Sequence, residues 1–92
     1  MIIRIMGEGQ YDVDERVVEE LNVIDNRIVD HVSKNEEVGF KADLGRLIST
    51  VKINGKQVDA KEITKSDIII PPKDLTLEEA KGIFKGDGLI KD

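Results

Sequence analysis

Two apolar stripes set back to back constrain this chain more than any other feature. Val17, Leu21, Ile24, Ile28 and Val32 recur at spacings of four, three, four and four, and Phe40, Leu44, Leu47 and Val51 at four, three and four. Spacing of this kind puts each set on one face of an α-helix. Val18 and Val29 widen the first stripe and Ile48 the second, while Glu19, Glu20, Asn22, Asn26, Arg27 and Asp30 fall on the opposite face of the first helix. Asp14 suits an N-cap, with Glu15 in the first turn where the helix dipole favours acid. The first helix is predicted to run to about Lys34. Asn35 is predicted to cap the second, with Glu36 and Glu37 in its first turn, and Asn54-Gly55 to end it with a residue in the left-handed region. So short a link predicts an antiparallel hairpin with the two stripes facing. Gly39 and Gly45 lie inside the second helix, each costing about 1 kcal/mol against Ala. Close approach of the helices is the expected reason for both.

The flanks of this hairpin read as short strands. Met1 to Met6 is β-branched at Ile2, Ile3 and Ile5. Gly7-Glu8-Gly9 breaks it, and Gln10 to Val13 follows with Tyr11 and Val13 on one face, which predicts a hairpin closed by the glycines. Residues 55–66 are polar and weakly patterned, and read as a loop. Ile68, Ile69 and Ile70 are consecutive and bounded by turn residues, the pattern of a buried strand pairing with the N-terminal one; Pro71 and Pro72 end it. Thr76 with Glu79 is a capping box, with Leu75 and Ala80 placed for a hydrophobic staple. Leu77, Ala80 and Phe84 supply the apolar face of a short helix, Gly86-Asp87-Gly88 stops it, and Leu89-Ile90 is expected to tuck back onto the core. The resulting expectation is one α+β domain over 1–92. It comprises a small antiparallel sheet, made of the N-terminal β-hairpin plus the 67–71 strand, packed with an antiparallel helical hairpin and a short C-terminal helix.

Composition narrows the function classes. The 92 residues include only three aromatics, Tyr11, Phe40 and Phe84, so the core rests on Ile, Leu and Val. There is no cysteine, which removes disulfides, thiolate metal sites and a thiol nucleophile. The formal net charge is -5. Without a dense basic stripe, an acidic chain repels a phosphate backbone and an anionic bilayer, so neither nucleic-acid binding nor direct membrane insertion is expected. No apolar window approaches the length that spans a bilayer, and a cytoplasmic location is expected.

Candidate chemistry is sparse. His31 is the only histidine, and a metal site or catalytic dyad needs more partners than it has nearby in sequence; Ser33, two residues on, does not face it on a helix. It reads as a surface or boundary helix residue. Asp12, Asp14, Glu15, Glu19, Glu20, Asp25 and Asp30 fall mostly at caps or on the solvated face, without the spacing of a calcium loop. Gly7-Glu8-Gly9-Gln10 lacks the third glycine of a dinucleotide fingerprint and the Lys-Ser/Thr of a Walker loop. No catalytic, cofactor-binding or metal-ligating residue is assigned, and no enzymatic activity is expected. What remains is apolar surface. Val18, Val23 and Val29 make the first helix wider than one partner helix requires. That width either packs on the three-isoleucine strand, the favoured reading, or stays partly exposed, in which case these residues with Tyr11, Pro72 and Leu75 are the candidate partner contacts. A protein-interaction adaptor is the first reading. A regulatory domain binding a small ligand or a cation through the acidic residues and glycine turns is the alternative.

The two ends of the chain carry a resemblance. The opening MIIRIMGEGQY with Val13, then Leu21-Asn22 and Ile24-Asp25, and the closing DIIIPPKDLTLEEAKGIFKGDGLI resemble the PspA-associated (PspAA) family. The matching segments cover roughly half of the chain, in the expected order. From about Lys34 to Lys65 the likeness is confined to helical character. The resemblance implies an accessory role around PspA, the coiled-coil protein of the phage-shock membrane-stress response, whose gene tends to neighbour those of this family. It implies no catalysis and no cofactor, and it brings no assigned functional residue. It is compatible with self-association and with recruitment to the inner membrane face through the partner.

Overall fold

A computed structural model describes residues 1–59, 61 and 65–90. The elements run β1 (Ile2–Ile5), β2 (Gly9–Asp12), α1 (Glu15–Ser33), α2 (Glu37–Asn54), β3 (Lys56–Gln57), β4 (Ile68–Ile70) and α3 (Leu77–Ile83). The α+β architecture is as expected from the sequence, with differences in the sheet. Its order is β3-β2-β1-β4. β1 and β2 pair antiparallel across the glycine turn, where Gly7 and Gly9 take φ of 85° and 110°. β4, however, runs parallel to β1, with Ile3 opposite Ile68 and Ile5 opposite Ile70. The sheet is therefore mixed, not purely antiparallel. The two helices between the hairpin and β4 supply the long crossover that a parallel pairing requires.

Two further expectations are corrected. The polar stretch after α2 contributes a strand: Tyr11 pairs with Gln57 and Asp12 with Lys56, so β3 forms one edge of the sheet. Both β3 side chains are exposed, so no apolar signal marked the strand. The rest of the predicted 55–66 loop lies partly outside the described residues. Ile69 is exposed while Ile68 and Ile70 are buried. Among the described residues the core covers one face of the sheet, and the period of two turns Ile69 to the opposite face beside Arg4.

The covered face, Ile3, Ile5, Tyr11, Ile68 and Ile70, joins the stripes of α1 and α2 in one contiguous core. Phe40 and Phe84 meet edge to face within it, centroids 6.2 Å apart and planes at 65°. Edge-to-face contact of this kind adds about 0.5–1.5 kcal/mol beyond burial. The helices pack antiparallel: His31 near the end of α1 lies against Gly39 near the start of α2, and Arg27, one turn earlier in α1, meets Asp43, one turn further along α2.

The caps divide into local successes and tertiary corrections. Asp14 accepts from the Arg16 amide at 2.9 Å, and Thr76 and Glu79 form the reciprocal capping box. Asn35 does not cap α2. It takes φ 57° and closes α1, its amide donating to the Val32 carbonyl. The N-cap of α2 is Glu36, which makes no side-chain cap. Gly55 is extended, with φ -90°, and not left-handed. A Cβ there would lie 2.6 Å from the Val51 carbonyl oxygen and 3.1 Å from the Tyr11 side chain, so close packing against β2 explains it.

Candidate functional site

Side-chain exposure sorts the six predicted partner contacts. Tyr11 and Leu75 lie in the core. Val18 and Val29 are half-buried and pack against it, and Pro72 is half-buried. Val23 alone stands out, at 58% exposure. The wide side of α1 is thus mostly absorbed by the domain's own core, and the structure does not gather these six residues into one surface.

Val23 instead belongs to an open groove between α1 and α2, about 760 Å³ in volume. Its second apolar flank is Ile53, 81% exposed. Between them α2 contributes Ala42, Gly45 and Ser49, and Arg27 and Arg46 stand along the rim. Spacings of three and four bring those small residues onto one strip of α2. A Cβ added at Gly45 would touch nothing within 4 Å, so Gly45 opens the groove and does not serve helix contact. Sequence reasoning missed Ile53 because it falls out of phase with the core stripe, two residues after Val51. An apolar residue out of phase on an otherwise amphipathic helix is the signal that marks it.

Gly39 does serve helix contact. A Cβ there would lie 2.6 Å from the ring of His31. That ring stands between two carboxylates, with Nδ1 3.0 Å from Glu36 Oε1 and Nε2 3.1 Å from Asp43 Oδ2. Asp43 is buried, its side chain 6% exposed, and it also accepts from Arg27 Nη2 at 3.2 Å and lies 3.5 Å from Arg46 Nη1. The hydrogen bond with Glu36 raises the His31 pKa above its ordinary 6.5; desolvation opposes this and the charge of Asp43 supports it. His31 thus has partners that its sequence position did not disclose. Ser33 is not among them, since its hydroxyl donates to the Asp30 carbonyl.

The second buried carboxylate belongs to the set of acids expected mostly at caps or on the solvated face. Asp25 has no exposed surface. Its oxygens accept from the amides of Leu89 at 3.1 Å and Ile90 at 3.0 Å. Gly88, at φ 74°, passes so close that a Cβ would lie 2.7 Å from both oxygens. The tuck of Leu89-Ile90 onto the core is therefore secured by an acid on α1. The other acids have ordinary roles: Asp12 faces the N-terminal ammonium at 3.4 Å, Asp30 takes Lys34 Nζ at 3.0 Å, and Glu8 takes Lys52 Nζ at 2.6 Å. Glu8 raises the pKa of Lys52, first by that hydrogen bond and then by its charge.

Among the described residues, no three His, Asp or Glu side chains gather as metal ligands. Nor is any described helix long and apolar enough to cross a membrane. A family model described as PspA-Associated protein matches residues 1–92. No significant match was found among curated proteins or solved structures.

Proposed function

Because the chain belongs to the PspA-associated protein family, we propose that it is a non-catalytic adaptor that binds PspA in the envelope-stress response, receiving a helix of that partner in the α1–α2 groove. The family membership supports the partner, and the groove supports the place. A helix docks by laying apolar side chains into a furrow between ridges. Val23 and Ile53 offer apolar ridges, and the small strip of Ala42, Gly45 and Ser49 lets a third helix approach closely. A coiled-coil protein presents continuous helices suited to that furrow. On this reading the domain works in the cytoplasm and reaches the membrane's inner face only through its partner.

Calorimetry with the cognate PspA, in solution and on vesicles, tests the proposal. Saturable association that weakens at least tenfold in the V23E and I53E variants supports it. Absence of association in both settings, or association indifferent to both substitutions, refutes the adaptor or the groove respectively. Sedimentation of the free protein asks whether a second copy fills the groove instead. A thermal-shift series with nucleotides and divalent cations addresses the ligand-binding alternative, which requires ligand-dependent stabilisation.

A further inference from the structure

We propose that His31, Glu36 and Asp43 form a proton-operated clasp across the α1–α2 turn, closed while the imidazole carries both ring protons and loosened when it loses one. The geometry carries this. Both ring nitrogens lie within hydrogen-bonding distance of carboxylate oxygens, at 3.0 and 3.1 Å. An ionised carboxylate only accepts, and a neutral imidazole has a single N–H. Satisfying both contacts therefore takes the imidazolium. Loss of one proton leaves a nitrogen lone pair facing a carboxylate, and one side of the clasp opens.

The surroundings hold the ring in place. Gly39 brings the α2 backbone against it, leaving no room for a Cβ. Glu36 occupies the N-cap of α2 without capping it, because its carboxylate turns back to His31. The Glu36 amide donates to the His31 carbonyl at 2.8 Å, so the clasp and the turn share the same two residues. The other charged groups around the ring are Arg27 and Asp30 from α1, Lys34 from the turn and Arg46 from α2. Arg27 and Arg46 are turned to Asp43, and Lys34 to Asp30. The two groups touching the ring nitrogens are both acids.

The sign follows from the direction of the shift. The folded-state pKa of His31 is raised. The clasp's contribution is fully present below the ordinary value near 6.5 and is lost as pH rises through the folded-state value. Arg27 both lines the groove and donates to Asp43. Loss of the His31 proton therefore lowers by one the net charge of the cluster through which Arg27 is held beside the groove. This last consequence rests on the docking proposal; the clasp itself does not, and its test uses the free protein.

His31 is the only histidine in the chain, so its Cε1 proton can be followed by NMR without assignment ambiguity. The titration midpoint is expected above 6.5 in the wild type. It is expected to move down in Glu36→Gln, an exposed change compatible with the fold, and in Gly39→Ala, where the added methyl displaces the ring. A wild-type midpoint at or below 6.5, or one unmoved by Glu36→Gln, overturns the clasp. A second measurement compares urea midpoints of wild type and His31→Gln across pH. The wild-type advantage should be greatest below pH 6.5 and shrink as pH rises through the NMR midpoint. A difference independent of pH overturns the proposal equally, since every other titrating group is common to both proteins.

Discussion

Among the described residues Asp25 and Asp43 are the two buried acids, and they are satisfied in opposite ways. Asp25, on α1, accepts from backbone amides of the C-terminal segment. Asp43, on α2, is met by side chains: it accepts from Arg27, pairs with Arg46 and faces the His31 ring. Backbone donors carry no titrating charge and cannot leave without unfolding the segment. Cationic side chains are mobile, face solvent on their far side, and in the case of His31 can lose the charge. The same residue type therefore makes a permanent latch in one place and an adjustable junction in the other. The difference lies in the donors, since both acids are buried.

The largest effect that would break this comparison is expected at the latch. Asp25→Ala should cost about 2–4 kcal/mol, because it strands buried amide donors and leaves a void. Urea unfolding measures it, with faster hydrogen exchange at Leu89 and Ile90 as the local sign. A loss below about 0.5 kcal/mol, the usual range for surface changes, would mean that the C-terminal segment is held by apolar packing alone. Gly88→Ala should follow at about 1–3 kcal/mol, since it combines a left-handed backbone with a close approach to the same carboxylate. Asp43→Ala is expected to cost less, about 1–2 kcal/mol, because its freed partners can turn to water. Unlike the latch variants, it should also flatten the dependence of stability on pH above 6.5. If Asp25→Ala flattens that dependence as well, the two acids are coupled and the contrast drawn between them fails. Smallest for the fold are Val23→Glu and Ile53→Glu, within about 0.5 kcal/mol of wild type because both side chains already face solvent. Any larger loss would show that the groove is part of the core's support and not a free surface.

What could be read along the chain had a local cause. The Asp14 cap, the Thr76–Glu79 box and the glycine hairpin involve residues within a few positions of one another. The helical stripes report burial because a helix must turn one face inward. Residues whose role depends on distant partners were misread. Asp25 looks like any acid between Ile24 and Asn26, yet its partners lie beyond Gly88, brought there by the return of α3. His31 gained Asp43 only through the register of α1 on α2. Lys56 and Gln57 form a strand because the edge of β2 is open to them, and their polar side chains gave no hint of it. Ile69 looked buried because three isoleucines cannot show which face of the sheet is covered. Of the two exposed apolar residues that flank the groove, the sequence reading named Val23 and not Ile53. Tyr11 and Leu75 proved to be core, because apolar character records a tendency to be buried and does not say what covers the residue.

The sequence by itself determined the helical hairpin, the N-terminal β-hairpin and the capped C-terminal helix, all of which follow from short-range spacing. Tertiary structure alone decided the parallel placement of β4, the burial of Asp25, the clasp around His31 and the open groove beside Val23 and Ile53. Those features depend on contacts between segments far apart in the chain, and a periodicity of 3.6 or 2 records which face turns inward without recording what it will meet.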